Sequence, residues 1–336
     1  MTDEILGWGI LGLGSITYRV MAPAMVAEDR CAIVAGVSRD RGRAEKFAAK
    51  FDVPGAYTSD ADLLADPAVD AVFIATPNAM HADQVVAAAR AGKHVLCDKP
   101  LGTSAEEARH AVDAAAAAGV ALGVNFHLRH APWVADVRRH LEAGTIGTVR
   151  TIHVEAGAGR MDPPDWRADP ALAGRGTLFS HGVHPLDLVG HLLQAEPVTV
   201  TAMFDRFAPD VVETHALALI AFDDGTHVFV DSNQTVPRPR NEIAIFGTEG
   251  TILGRGLTRA TAEPGRLLVR TQDDETVTEY PPAQAHRRCV AAFADAVLDG
   301  RTPSASGSDG VRSAALCDAI VASIRERRWV DVDVSG

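Results

Sequence analysis

The chain has 336 residues, enough for about two domains at roughly 150 residues each. Its formal net charge is −12 and no lysine- or arginine-rich block interrupts it, which argues against nucleic acid and anionic membrane as partners. An apolar fraction of 47% provides for sizeable cores, yet no stretch reaches the ~18–20 uninterrupted apolar residues of a membrane span. The four cysteines, Cys31, Cys97, Cys289 and Cys317, form no C-x-x-C pair, so reduced thiols and a cytoplasmic location are the expectation. The opening MTDEILGWGILG lacks the basic start of a signal peptide.

Taken in order, Leu6–Leu11 reads as a buried strand running into Gly12-Leu13-Gly14-Ser15-Ile16-Thr17 and a helix to about Glu28. Strands follow at Cys31–Val37, Gly55–Tyr57, Val69–Ala75, Val95–Cys97 and Val120–Val124. Helices alternate with them at Asp40–Phe51, after Ser59, at Asn78–Ala91 and from Thr103-Ser104-Ala105-Glu106, a capping-box spacing, to Ala118. This alternation predicts a doubly wound parallel sheet with right-handed crossovers. Gly12-x-Gly14 between a strand and a helix is the context of a dinucleotide loop: missing side chains let backbone amides approach a pyrophosphate at a helix N-terminus. The third position of the G-x-G-x-x-G/A pattern is Thr17, so the match is incomplete.

Cofactor choice is read at the end of the second strand. Ser38-Arg39 offers a hydroxyl and a planar guanidinium, which suit a 2′-phosphate and favour NADP; NAD stays open, because Asp40 could face a ribose instead. After the fourth strand, Thr76, Pro77 and Asn78 form a turn in which Asn78 can cap a helix, and His81 lies in the first turn near the ligand edge. The fifth strand ends at Asp98-Lys99-Pro100. Proline stops the ladder there and restricts Lys99 to an extended or turn conformation at the edge where open parallel sheets bind ligands. Lys99 is one of four lysines against 28 arginines. By itself the turn fits a surface lysine as well as a catalytic one.

From Asn125-Phe126-His127-Leu128-Arg129 the pattern changes. A helix is predicted at Pro132–Glu142. Extended segments follow at Thr148–Ala156, Val198–Phe207, Thr214–Phe222, Thr226–Asn233, Glu242–Phe246, Leu267–Thr271 and Thr276–Tyr280, with turn chemistry such as Asp223-Asp224-Gly225 between them. These read as an antiparallel sheet, closed by helices at Ala283–Leu298 and Ser308–Arg327 and a strand at Trp329–Val334. Within this half, Ser180 and His184 are four apart on a helical stretch and share a face. His181, His184 and Asp187 step by three, and Gly182 leaves room for a close approach. His184 is a candidate acid/base; a cation held by His181, His184 and Asp187 is the weaker alternative, so no metal is assigned.

Together these motifs resemble the glucose–fructose oxidoreductase/inositol dehydrogenase (Gfo/Idh/MocA) family. The likeness rests on GLGSI, TPNAMHA, DKPLG, WRADPALAGRG with HGVHPLDL, and FGTEGTI. It implies an α/β chain: an N-terminal doubly wound Rossmann domain over 1–124 and a C-terminal α/β domain over 125–336, whose large, mostly antiparallel open sheet carries homodimer or homotetramer contacts. It also implies hydride transfer between NADP (or NAD) and a secondary alcohol or ketone of a sugar, polyol or related molecule. Lys99 matches the active-site lysine of the family's E-K-P, with Asp98 where glutamate is commoner. His184 matches the histidine of D-x-G-x-H, and Ser180 stands where that motif carries aspartate. Candidate cofactor residues are Gly12, Gly14, Ser15, Ile16, Ser38, Arg39, Thr76, Pro77, Asn78, His81, Asp98 and Lys99. Candidate substrate residues are Lys99, Asn125, Arg129, Trp166, Arg167, Ser180, His181 and His184, with Lys99 and His184 catalytic. A non-catalytic dinucleotide- and sugar-binding regulator and a cofactor-assisted glycoside-processing enzyme are the alternative functions.

Overall fold

The computed structural model describes residues 4–159, 166–208, 210–258, 264–282 and 284–334. The chain forms two compact units, Met1–His127 with His286–Val311, and Leu128–Ala285 with Arg312–Gly336. The sequence places its first division, 124/125, close to the first of these crossings. It does not foresee the return of 286–311 to the first unit.

Six strands build the first unit's sheet: β1 (Leu6–Leu11), β2 (Cys31–Val37), β3 (Gly55–Tyr57), β4 (Ala71–Ile74), β5 (His94–Cys97) and β6 (Leu122–Val124). All pairs are parallel and the order is β3-β2-β1-β4-β5-β6, the doubly wound arrangement whose order reverses between β1 and β4. The crossovers carry α1 (Ala22–Val26), α2 (Arg41–Phe51), α3 (Asp60–Ala65), α4 (His81–Arg90) and α5 (Ala105–Ala118). Burial of whole strands explains the unbroken apolar runs: every residue of β1 and β4 is buried. The capping box of α5 is shifted by one residue. Ser104 Oγ accepts the Glu107 amide at 3.2 Å, and Glu107 reaches back to Thr103 N at 2.7 Å. Ser104 is the residue with extended backbone, so its side chain lies nearer the free amides than that of Thr103.

The second unit contains α6 (Pro132–Glu142), β7 (Val149–Gly157), α7 (Pro170–Ala173), α8 (Val183–Leu193), β8 (Pro197–Phe204), β9 (His215–Phe222), β10 (His227–Asn233), β11 (Ile243–Gly247), β12 (Gly250–Arg255), β13 (Gly265–Thr271) and β14 (Glu275–Tyr280). The chain then forms α9 (Ala285–Leu298), α10 (Gly307–Glu326) and β15 (Val330–Asp331). Ala283, the predicted start of α9, lies outside the described residues. The nine-stranded sheet runs β14-β13-β12-β11-β7-β10-β9-β8-β15 and is antiparallel except for β7 beside β10. β12 is absent from the predicted strands, because TEGTILGRG reads as turn composition.

Two cores follow from this partition. In the first, Trp8, Ile10, Phe73 and Leu96 of the sheet pack with Phe47, Met21 and Met25, and with Cys289, Val290 and Phe293 of α9. Trp8 and Phe293 stand 5.4 Å apart between ring centroids. In the second, the inward residues of the large sheet (Ile152, Val154, Ile220, Val230, Ile245) bury against Val134 and Val137 of α6, Leu188 and Val189 of α8, and Leu316 and Ile320 of α10.

Candidate active site

The first unit gathers most of its candidate residues along the carboxyl edge of its sheet. Gly12, directly after β1, has φ +98°, and a Cβ there would meet the Ala75 carbonyl oxygen at 2.6 Å. Only glycine fits that turn. Thr17 occupies the imperfect third position and its hydroxyl donates to the Gly12 carbonyl at 2.6 Å, so it fastens the loop from within. A Cβ on Gly14 would meet nothing within 4 Å, which leaves that face of the loop open. Ser15 is exposed, Ile16 is half-buried, and a π-helical turn, Thr17–Met21, follows. Open space at Gly14 above a strand-to-helix turn fits a dinucleotide pyrophosphate.

At the end of β2 the choice between ribose and phosphate contacts becomes sharper. Asp40 is the N-cap of α2: its Oδ1 accepts the Arg43 amide at 3.0 Å, and its own amide donates to Ser38 Oγ at 3.2 Å. Its carboxylate thus serves the helix, while Arg39 is exposed beside it.

After β4 the turn differs from expectation. Asn78 lies inside a short 3₁₀ turn, Asn78–Met80, and the N-cap position of α4 falls to Met80. Thr76 Oγ1 donates to Gln84 Oε1 at 2.5 Å, and Pro77 accepts the Met80 amide through its carbonyl at 2.9 Å. His81, in the first turn near the ligand edge, is 1% exposed. Its Nδ1 lies 2.7 Å from the Pro100 carbonyl oxygen and its Nε2 3.0 Å from that of Thr76. Both ring nitrogens face backbone carbonyls.

Asp98 and Lys99 leave β5 in a half-buried turn. Asn125, at the end of β6, donates its amide to Asp98 Oδ1 at 3.1 Å and is itself 1% exposed, so it serves the lysine turn. Sequence reading did not single out His127 and His286. Their rings stack at 3.7 Å and 16°, and Asp98 and Lys99 are electrostatic neighbours of His286. Burial holds the His286 imidazole down to about 4, Asp98 acting to raise it and Lys99 to lower it.

In the second unit, a π-helical turn, Leu178–Gly182, opens into α8 and carries Ser180 and His181 one turn before His184. Ser180 N donates to Gly176 O at 3.0 Å. The turn is anchored by Glu213, 1% exposed, whose Oε1 accepts the Leu178 amide at 2.9 Å and whose carbonyl accepts the Thr177 amide at 3.0 Å. Burial raises the Glu213 carboxyl, against the pull of the amides of Leu178 and Gly176. The only sequence signal for it is an acid entering an apolar strand, VVETHALAL. The room left by Gly182 is taken by β10, since a Cβ there would lie 3.3 Å from Ser232 Oγ.

Arg129 is committed within the fold. Its Nε and Nη2 hold Asp187 at 2.8 and 2.5 Å, both side chains nearly fully buried. This removes the freely presented guanidinium expected of a substrate contact and spends the carboxylate of the weaker cation set. Trp166 and Arg167 share a 3₁₀ turn, the guanidinium 4.5 Å above the indole ring.

A doubly wound sheet with an open glycine loop, a 2′-phosphate-like β2 end and a lysine turn on one edge defines a nicotinamide-dinucleotide oxidoreductase class. Residues 6–126 match the model of the oxidoreductase family with an NAD-binding Rossmann fold, and residues 134–253 that of the GFO/IDH/MocA C-terminal domain. The chain belongs to the Gfo/Idh/MocA oxidoreductase family. It is 32% identical to a 1,5-anhydro-D-fructose reductase of Ensifer adhaerens (94% of this chain, 95% of the relative). It is 33% identical to D-xylose 1-dehydrogenase (NADP(+)) 2 of Haloferax volcanii (97% and 99%). A 3-ketoreductase from Actinomadura kijaniata, solved with NADP and TDP-benzene, superposes with a TM-score of 0.86 at 27% identity over 96% of this chain and 98% of that one.

Proposed function

We propose that this chain is an NADP-preferring oxidoreductase that moves hydride between the nicotinamide and a secondary alcohol or ketone of a sugar or polyol. One observation carries the reading: the open glycine loop after β1 and the Lys99 turn after β5 lie on the same sheet edge, with only β4 between their strands. The helix-capping role of Asp40 and the exposed Arg39 support NADP over NAD. The named activities of the relatives support a sugar-like substrate.

The nicotinamide, when bound, supplies or accepts the hydride. The chain's residues do the rest. Lys99 holds the reacting oxygen and stabilises the negative charge that develops on it. His184 exchanges the hydroxyl proton, an imidazole being suited to that near neutrality. Thr76, Pro77 and Asn78 are the further cofactor residues of this reading, and Trp166, Arg167, Ser180 and His181 its substrate residues. Serine in place of the family's aspartate removes a negative charge one helical turn from His184.

The outer face of the large sheet supports a homodimer or homotetramer. Met203 (70% exposed), Leu217, Leu219 (46% exposed) and Phe229 are neighbours there by strand register. Among the described residues no helix is long and apolar enough to cross a membrane. The reading remains a cytoplasmic enzyme with a small-molecule substrate and neither nucleic-acid nor membrane partner.

Nicotinamide absorbance over a panel of polyols, aldoses and ketoses tests the activity. Lys99→Ala is expected to lower kcat by about 10²–10³ with cofactor affinity retained. Unimpaired turnover by that variant removes Lys99 from the chemistry.

A further inference from the structure

We propose that His81 is a positioning residue that sets the Lys99 turn against the cofactor edge; this rests on the catalytic reading of Lys99. Three turns leave the sheet along this edge. The first two are already fastened: the Ala75 amide donates to the Leu11 carbonyl at 2.7 Å, and the Gly12 turn packs against Ala75 with no room for a side chain. The third has its own backbone link, the Asp98 amide donating to the Ile74 carbonyl at 2.8 Å, but that link stops short of Lys99. Pro100 has no N–H to donate, so the backbone after Lys99 loses one means of fixation. What Pro100 retains is its carbonyl, and the buried His81 ring takes it at 2.7 Å.

The same ring's Nε2 lies 3.0 Å from the Thr76 carbonyl oxygen, so one rigid side chain packs between the turn after β4 and the turn after β5. Lys99 therefore lies between two pinned neighbours: Asp98, held by the Asn125 amide at 3.1 Å, and Pro100, held by His81. A carbonyl only accepts, so each contact needs a ring N–H, and a neutral ring has one. The shorter contact assigns that hydrogen to Nδ1, facing Pro100. An apolar residue at 81 would leave the buried Pro100 carbonyl without this donor.

Two amide substitutions separate the halves of the link. In His81→Asn the amide nitrogen reaches about where Nδ1 lies and keeps the Pro100 bond; in His81→Gln it reaches about where Nε2 lies, toward Thr76, and the Pro100 bond is lost. Steady-state kinetics with NADPH and a carbonyl sugar turned over by the wild type is expected to show kcat down about tenfold or more in the Gln variant. The Asn variant should stay within about threefold, and the Kd for NADPH within about twofold in both. Equal kcat in the Gln variant and wild type, or the opposite order of the two variants, overturns the proposal. If the Gln variant does not fold, the Asn variant decides alone, a tenfold loss in it overturning the assignment.

A second readout does not depend on turnover. The chain has four lysines, so ¹³C-dimethyl-lysine NMR gives a small set of signals from which Lys99 is assigned with Lys99→Arg. The Lys99 signal should move in the Gln variant and hold in the Asn variant. If it does so while Lys99→Ala remains active, the positioning link stands and the catalytic role of Lys99 falls. A Lys99 signal unmoved by His81→Gln overturns the link itself.

Discussion

Arg39 stands exposed at the end of β2 while the carboxylate of Asp40 turns into the first turn of α2. Reversing the Arg39 charge should therefore separate the two cofactors. For Arg39→Asp we expect the KM for NADPH to rise about 10–100-fold, the size of one lost charge-assisted phosphate contact, with little change for NADH. Parallel titrations with both cofactors check this, and an equal effect on both would return the site to a ribose reading. Buried imidazoles set a second residue-scale expectation. Burial holds His130 and His286 down to about 4, against 6.5 for the free ring. The unfolded chain therefore binds protons that the fold refuses between pH 6.5 and about 4, and stability falls as the pH falls through that window. Thermal melts should show this slope, shallower in His286→Phe, which keeps an aromatic ring against His127.

At the scale of elements, the helix carrying His184 is fixed at its entry and in its first turns by groups that touch no ligand in this reading. Glu213 holds the turn at Leu178, and the Arg129–Asp187 pair ties the 3₁₀ turn His127–His130 to α8. Removing one member of a buried pair strands the other charge. Arg129→Met should cost about 3–5 kcal/mol in chemical denaturation, whereas Arg129→Met with Asp187→Leu should recover most of it. A double variant no more stable than the single one would mean that Arg129 acts through packing rather than charge.

For the whole molecule, the outward apolar face of the nine-stranded sheet is the surface most in need of a partner. Leu219 lies opposite Phe229 and Thr201 in register and is 46% exposed. If the proposed oligomer forms through this face, Leu219→Asp should shift sedimentation from oligomer to monomer with the circular dichroism of the wild type. A wild-type monomer at high concentration would remove the sheet face as an interface.

Periodicity, glycine and proline determined a great deal about this chain. The parallel sheet, its glycine loop, the strand ending at Lys99 and the helix leading to His184 are local consequences of apolar runs and of residues that restrict φ, and these can be read along one dimension. The tertiary structure decided what sequence spacing cannot encode: which partner a polar side chain finds. It turned Asp40 into a cap, spent Arg129 on a carboxylate 58 residues away, and buried His81 between two carbonyls. It also returned α9 to the first core, because an apolar stripe specifies that a helix face is buried but not against which sheet.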